Sequence, residues 1–154
     1  MIKILMVCHG NICRSPMAEY IMRDMVEKAG LSARFEIASA ATSFEEIGNP
    51  VYPPARRELA RHGIRCDGHA ARHMERSDYD HYDYIVGMDD YNMRNMRNIC
   101  GGDPAGKLYK LMSFTGSNEI VDDPWYTGEF EHVYHQIHAG CAAMLKQLTG
   151  KNRW

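Results

Sequence analysis

Cys8-His9-Gly10-Asn11-Ile12-Cys13-Arg14-Ser15 separates two segments of different hydrophobic period, and that change of period decides the fold. Before it, Ile2-Lys3-Ile4-Leu5-Met6-Val7 is apolar at every position but Lys3. A short run of this kind predicts a central parallel strand covered on both faces. After it, Ala18, Ile21, Met22, Met25, Val26 and Ala29 stack on one side of a helix. Ser15 is expected to cap that helix, Pro16 has the φ suited to its first position, and Gly30 can end it in a left-handed cap.

The same reading extends along the chain. A second strand is expected over Arg34 to Ala38, and Pro53-Pro54 opens a short helix with Leu59 inward and Gly63 at its end. Tyr84 to Met88 is another apolar strand, after which Asp89 can cap a helix carrying Met93 and Met96. Leu108 to Met112 is a weaker strand. Phe130, Val133, Tyr134, Ile137, Cys141, Met144, Leu145 and Leu148 then mark a long amphipathic helix closed by Gly150. Alternating strands and helices predict an α/β fold: a four-stranded, mostly parallel sheet with helices on both faces and a binding loop after the first strand. No repeat, low-complexity tract or composition break interrupts it, so residues 1–154 are read as one domain. Ligands of such sheets bind beyond the carboxyl ends of the strands.

Composition narrows the function. The net charge is 18 − 20 = −2, which removes any composition-level reason to expect a nucleic-acid partner. No stretch approaches the roughly 18 apolar residues of a membrane span, and the N-terminal run lacks the form of a signal peptide, so a cytoplasmic location is expected. Five cysteines, Cys8, Cys13, Cys66, Cys100 and Cys141, are an odd count that argues against a disulfide framework. There is no Cys-x-x-Cys and no His-Glu-x-x-His, so neither a metal nor any other cofactor is expected. His62, His81, His132 and His135 lie among polar neighbours and read as solvated surface.

The loop itself carries the chemistry. Backbone N–H groups of a strand-to-helix turn can point inward, and the helix N-terminus adds about half a positive charge. Together they make an anion-binding concavity, with Gly10 and Asn11 expected to adopt backbone conformations that most residues resist. Arg14 can offer a planar fork to two phosphate oxygens. In that positive field Cys8 is expected to act as a thiolate nucleophile. The nucleotide-binding patterns Gly-x-x-x-x-Gly-Lys-Ser/Thr and Gly-x-Gly-x-x-Gly are both absent. An isolated cysteine reads more simply as a small buried hydrophobe, but that leaves Gly10, Ser15 and the flanking strand and helix unexplained.

At this point the sequence resembles the low-molecular-weight protein tyrosine phosphatases, whose phosphate loop reads Cys-x-Gly-Asn-x-Cys-Arg-Ser. The likeness continues through Ser39-Ala-Ala-Thr, His62-Gly-Ile, His69-Ala-Ala-Arg, Tyr82-Asp-Tyr-Ile-Val-Gly-Met-Asp and Asp122-Asp-Pro-Trp-Tyr. It implies a cysteine-dependent protein-tyrosine phosphatase acting on phosphotyrosine proteins or small aryl phosphates and releasing inorganic phosphate. The resemblance makes Cys8 the nucleophile, Arg14 the phosphate clamp and Asp123, the Asp before Pro124, the general acid and base. Read from the residues alone, Asp122 and Asp123 would be turn formers. The likeness further implies phosphate contacts from the loop residues His9, Gly10, Asn11, Ile12 and Cys13, with Ser15 bonding the thiolate and Asn11 and His69 bracing the loop. Cys13 is implied as a redox partner able to form a reversible disulfide with Cys8.

Two departures from the family pattern and one agreement with it bear on substrate. Trp125 stands where the family usually has a tyrosine, so an aromatic wall is kept beside Tyr126, whose simpler role is packing. Ile12 is the tyrosine-phosphatase form of a position that is threonine in relatives acting on phosphoarginine, which keeps a protein arginine phosphatase as an alternative. The Ser43-Phe44-Glu45-Glu46 stretch resembles the variable specificity loop, where Glu45 replaces a common aromatic and Phe44 is expected to substitute for it. A thiol-dependent arsenate reductase of the same fold would need a relay of extra cysteines, yet the Tyr82 to Asp89 stretch has none and Cys100 stands alone. A non-catalytic phosphotyrosine-binding module would not need Cys8, Arg14 and Asp123 together. Surface Met, Tyr and Trp residues identify no interface, so the oligomeric state stays open.

Overall fold

The computed structural model describes residues 1–154. The chain runs β1 (Ile2–Cys8), α1 (Arg14–Lys28), β2 (Phe35–Ala41), α2 (Pro53–Arg61), α3 (Ser77–His81), β3 (Tyr84–Gly87), α4 (Asp90–Cys100), β4 (Leu108–Lys110), α5 (Pro124–Thr127) and α6 (Phe130–Thr149). The four strands form one sheet in the order β2-β1-β3-β4, and every pair is parallel. The α/β architecture with helices on both faces is therefore as the periodicity predicts.

Side-chain alternation along β1 assigns its two faces. Ile4, Met6 and Cys8 join the apolar layer of α1 and α6, whereas Leu5 and Val7 join Met93, Met96 and Ile85 on the other face. This parity places the Cys8 thiol on the α1 side, above the N-terminus of that helix. The chain leaves β1 toward β2 on one side and later returns to β3 on the other. The carboxyl end of β1 is thus the point where the winding reverses, which is where ligands of open parallel sheets bind.

Several boundaries differ from the sequence expectation for identifiable reasons. β2 starts one residue late and runs three residues past Ala38, because Ser39, Ala40 and Ala41 pair with Met6, Val7 and Cys8. Cys13 rather than Ser15 stands at the N-cap of α1; Ser15 lies inside the first turn, where its hydroxyl faces the Cys8 sulfur. Helix α3 has no apolar period to announce it, since Tyr79 is its one buried residue. The apolar run after Leu108 stays a strand only to Lys110 and then turns into a 3-10 segment, Leu111–Thr115. That turn drives Leu111 and Met112 into α6 instead of extending the sheet. His62 is half-buried, its ring stacked on Tyr134 at 3.6 Å and its Nε2 3.0 Å from Glu58.

Leu111 approaches α6 where Gly140 has no side chain: a Cβ there would lie 2.6 Å from Leu111 Cγ. Alanine normally stabilises a helix interior by about 1 kcal/mol over glycine, but overpacking a core costs about 1–3 kcal/mol. Gly140→Ala is expected to lower stability by about 1 kcal/mol in urea unfolding; an unchanged or raised midpoint would refute this packing.

Candidate active site

The turn after β1 wraps around one sulfur. Cys8 Sγ lies 3.0 Å from Ser15 Oγ and 3.4 Å from the backbone N–H groups of both Asn11 and Ser15. The residue is 3% exposed. Three hydrogen-bonding groups thus converge on the sulfur, and the first turn of α1 adds its dipole from the same side.

Asn11 makes the turn possible. It is the sole non-glycine residue with positive φ, at 60°, a left-handed conformation that asparagine tolerates better than most residues. Gly10 lies outside that region, contrary to expectation; a Cβ there would instead sit 3.4 Å from Glu46 Cγ and 3.7 Å from Ile12 Cγ1. The fully buried Asn11 side chain donates to Ser15 Oγ at 2.8 Å and to Ser39 Oγ at 2.9 Å, while its Oδ1 accepts from the Arg72 N–H at 3.1 Å. The Ser39 hydroxyl donates to Glu19 Oε1 at 2.5 Å, and Glu19 is paired with Arg23 at 2.7 Å. His69 Nε2 contacts the Asn11 carbonyl at 2.8 Å. In the sequence Ser39 stands out only as the start of the Ser39-Ala-Ala-Thr stretch beyond the expected second strand, and Glu19 only as a helix residue.

Arg14 is 3% exposed, and a guanidinium buried to that degree needs partners. It donates to Asp89 at 2.7 Å, to the Val121 carbonyl at 3.0 Å and to Asp123 at 3.5 Å. Burial alone would lower its pKa, but the charges of Cys8, Asp89 and Asp123 outweigh burial and raise it. Asp89 is thus a further contributor whose role at the site was missed. The expected cap of α4 is present, with Asn92 N donating to its Oδ1 at 2.7 Å, and its other oxygen orients Arg14. Its position just beyond the carboxyl end of β3 is the signal that could have found it.

Asp123 reaches the loop from far along the chain. Its backbone is extended, φ −85° and ψ 107°, and it caps α5 by accepting from the Trp125 N–H at 3.1 Å. Asp122 faces away toward His132 at 3.2 Å and Gln136 at 3.3 Å. Cys8, His9, Gly10, Ile12, Cys13, Arg14 and Asp123 line one pocket of about 220 Å³ with Glu45, Glu46, Trp125 and Tyr126. Asn11 and Ser15 support it from behind. Trp125 lies 4.8 Å from the ring of Tyr52, which sequence reasoning missed. Tyr126 is 84% exposed and packs into no core.

Phe44 is a correction. Its ring stacks on His73 at 3.7 Å and 6° and does not line the pocket. His73 is held beside it by the bridge to Ala41 and a 3.1 Å contact to the Thr42 carbonyl, so a flat partner stands ready on that side. Glu45 and Glu46 occupy the rim instead. Burial, with the charges of Cys8 and Asp123 behind it, pushes the Cys13 thiol well up; burial raises Cys66 and Cys141 and takes Cys100 up to about 11.

Known proteins are similar to this chain in sequence and in fold. The family model for low molecular weight phosphotyrosine protein phosphatase matches residues 3–153. Low molecular weight protein-tyrosine-phosphatase YfkJ of Bacillus subtilis is 39% identical over 150 residues, 96% of each chain. Its crystal structure superposes with a TM-score of 0.93 over 97% of this chain and 96% of that one. The low molecular weight phosphotyrosine protein phosphatase of Schizosaccharomyces pombe is 44% identical over 156 residues, 96% of this chain and 97% of its own. A Drosophila arginine phosphatase structure has the same fold at lower identity, 27%, with a TM-score of 0.85 over 97% of this chain and 98% of that one. The matches span nearly the whole chain, and the chain belongs to the low molecular weight phosphotyrosine protein phosphatase family.

Proposed function

We propose that this phosphatase hydrolyses phosphotyrosine and aryl phosphates through a phosphocysteine, with Cys8, Arg14 and Asp123 carrying the reaction and residues 1–154 acting as one unit. The observation that carries the reading is the Cys8 sulfur, held by Ser15 Oγ and two backbone N–H groups at the floor of a pocket that Arg14 and Asp123 share. The thiolate attacks phosphorus opposite the phenolic oxygen. Arg14 and the loop amides take the charge on the three equatorial oxygens. As the phosphorus–oxygen bond breaks, Asp123 gives its proton to the departing phenol oxygen. Its carboxylate then removes a proton from water attacking the S–P bond, which restores the thiolate and frees inorganic phosphate. Ile12 and Trp125 flank the substrate ring, an arrangement that favours an aryl ester. No helix is long and apolar enough to cross a membrane, and five free thiols suit a reducing compartment such as the cytoplasm.

Cys8→Ser is expected to abolish p-nitrophenyl phosphate hydrolysis, and Asp123→Ala to lower kcat by about 10²–10⁴-fold. The Asp123→Ala loss should shrink for substrates whose phenol is more acidic and needs less protonation. Full activity in either variant would remove the proposed role.

Thiols raised by burial stay protonated below their shifted pKa and do not attack alkylating agents. Iodoacetate at neutral pH should therefore label Cys8 in preference to the other four thiols, and phosphate should protect it. Cys100 should begin to react only as the pH nears about 11. Mass spectrometry showing equal labelling of Cys8 and Cys100 at neutral pH would contradict this.

Peroxide would convert the Cys8 thiolate to a sulfenic acid with loss of hydroxide; the Cys13 thiol would then displace water to form a disulfide. Dithiothreitol should restore activity to the peroxide-treated parent but much less to Cys13→Ser. Equal recovery in both would exclude a protective disulfide.

A further inference from the structure

The rim of the phosphate pocket carries charge of one sign. Glu45 and Glu46 both line it, whereas the pocket's one arginine, Arg14, lies buried at the floor and engaged with Asp89. No lysine lines it. Both rim carboxylates are held in place. Glu45 Oε2 is 3.1 Å from His9 Nε2, a residue of the phosphate loop itself, although the Glu45 side chain is 69% exposed. Glu46 Oε2 accepts from Asn49 Nδ2 at 2.6 Å, and its Cγ lies close to the Gly10 backbone. The same pocket mouth exposes the aromatic rings of Trp125 and Tyr126.

A doubly negative phosphate entering this pocket is attracted by the floor and repelled by the rim. A cationic residue beside the phosphotyrosine relieves that repulsion, because it meets the two carboxylates. Aromatic faces at the same mouth offer it a further attractive surface. An acidic neighbour meets like charge at the same place. We infer that Glu45 and Glu46 are specificity determinants that select phosphotyrosine flanked by arginine or lysine and disfavour acidic contexts. The inference rests on the function proposed above and specifies its substrate class. His9 is a positioning residue in this scheme, since it ties Glu45 to the loop that binds the phosphate.

The test compares kcat/KM for two phosphotyrosine peptides of equal length, one with arginine and one with glutamate on both sides. Reading their ratio within each variant cancels any change in general turnover. The arginine peptide should be favoured about tenfold, as expected for a few rim ion pairs. The ratio should fall toward about one in the Glu45→Gln/Glu46→Gln double variant, and likewise in about 1 M salt, where the Debye length is about 3 Å. In His9→Gln the ratio should drop part of the way, with circular dichroism reporting an intact fold. Equal turnover of both peptides by the parent would overturn this inference while leaving the phosphatase reading in place. A preference that survives in the double variant would overturn the assignment to these carboxylates. Turnover of neither peptide would overturn both readings.

Discussion

Asn11 combines a left-handed backbone with a side chain fully sealed from solvent, and those two conditions shape everything around it. The backbone turn directs the Asn11 N–H at the Cys8 sulfur. A buried amide left without partners would cost about 1–3 kcal/mol per group, so the surroundings must supply them. Ser15, Ser39 and the Arg72 backbone do so, drawing on α1, β2 and the segment before α3. The anion cradle is therefore held by three parts of the chain that are distant in sequence, and the parallel sheet is what brings them together.

The site divides into a rigid floor and an open rim. Cys8, Arg14 and Ser15 are buried and hydrogen-bonded, which suits chemistry that depends on preorganised donors. Glu45 is exposed on the loop after β2, and Trp125 and Tyr126 on the short helix α5, where sequence can vary without disturbing the sheet. Arg14 joins the two levels. Its guanidinium sits at the floor yet reaches Asp89 beyond β3 and Asp123 at the start of α5, so three strand-end or loop segments meet at one charge.

Much of this was legible in advance. The period change around the Cys8 to Ser15 stretch placed β1 and α1, and Asp89 read correctly as a cap, because strand alternation, helix stripes and caps are local properties of consecutive residues. What escaped were features set by distant partners. Phe44 has the right residue type for a substrate wall, but His73 claims its ring. Tyr52 carries no motif, and it matters only because Trp125 folds against it. Leu111 continues an apolar run yet leaves the sheet, since α6 offers a gap at Gly140.

By itself the sequence determined the alternation of strands and helices, the anion-binding turn and its cysteine, since each is encoded within a few adjacent residues. Tertiary structure alone decided which carboxylates surround Arg14 and which side chains form the pocket mouth. Those residues, from Glu45 to Tyr126, stand between 31 and 112 positions from Arg14 along the chain. Only packing of the α/β layers sets the distances across which charge and ring contacts act.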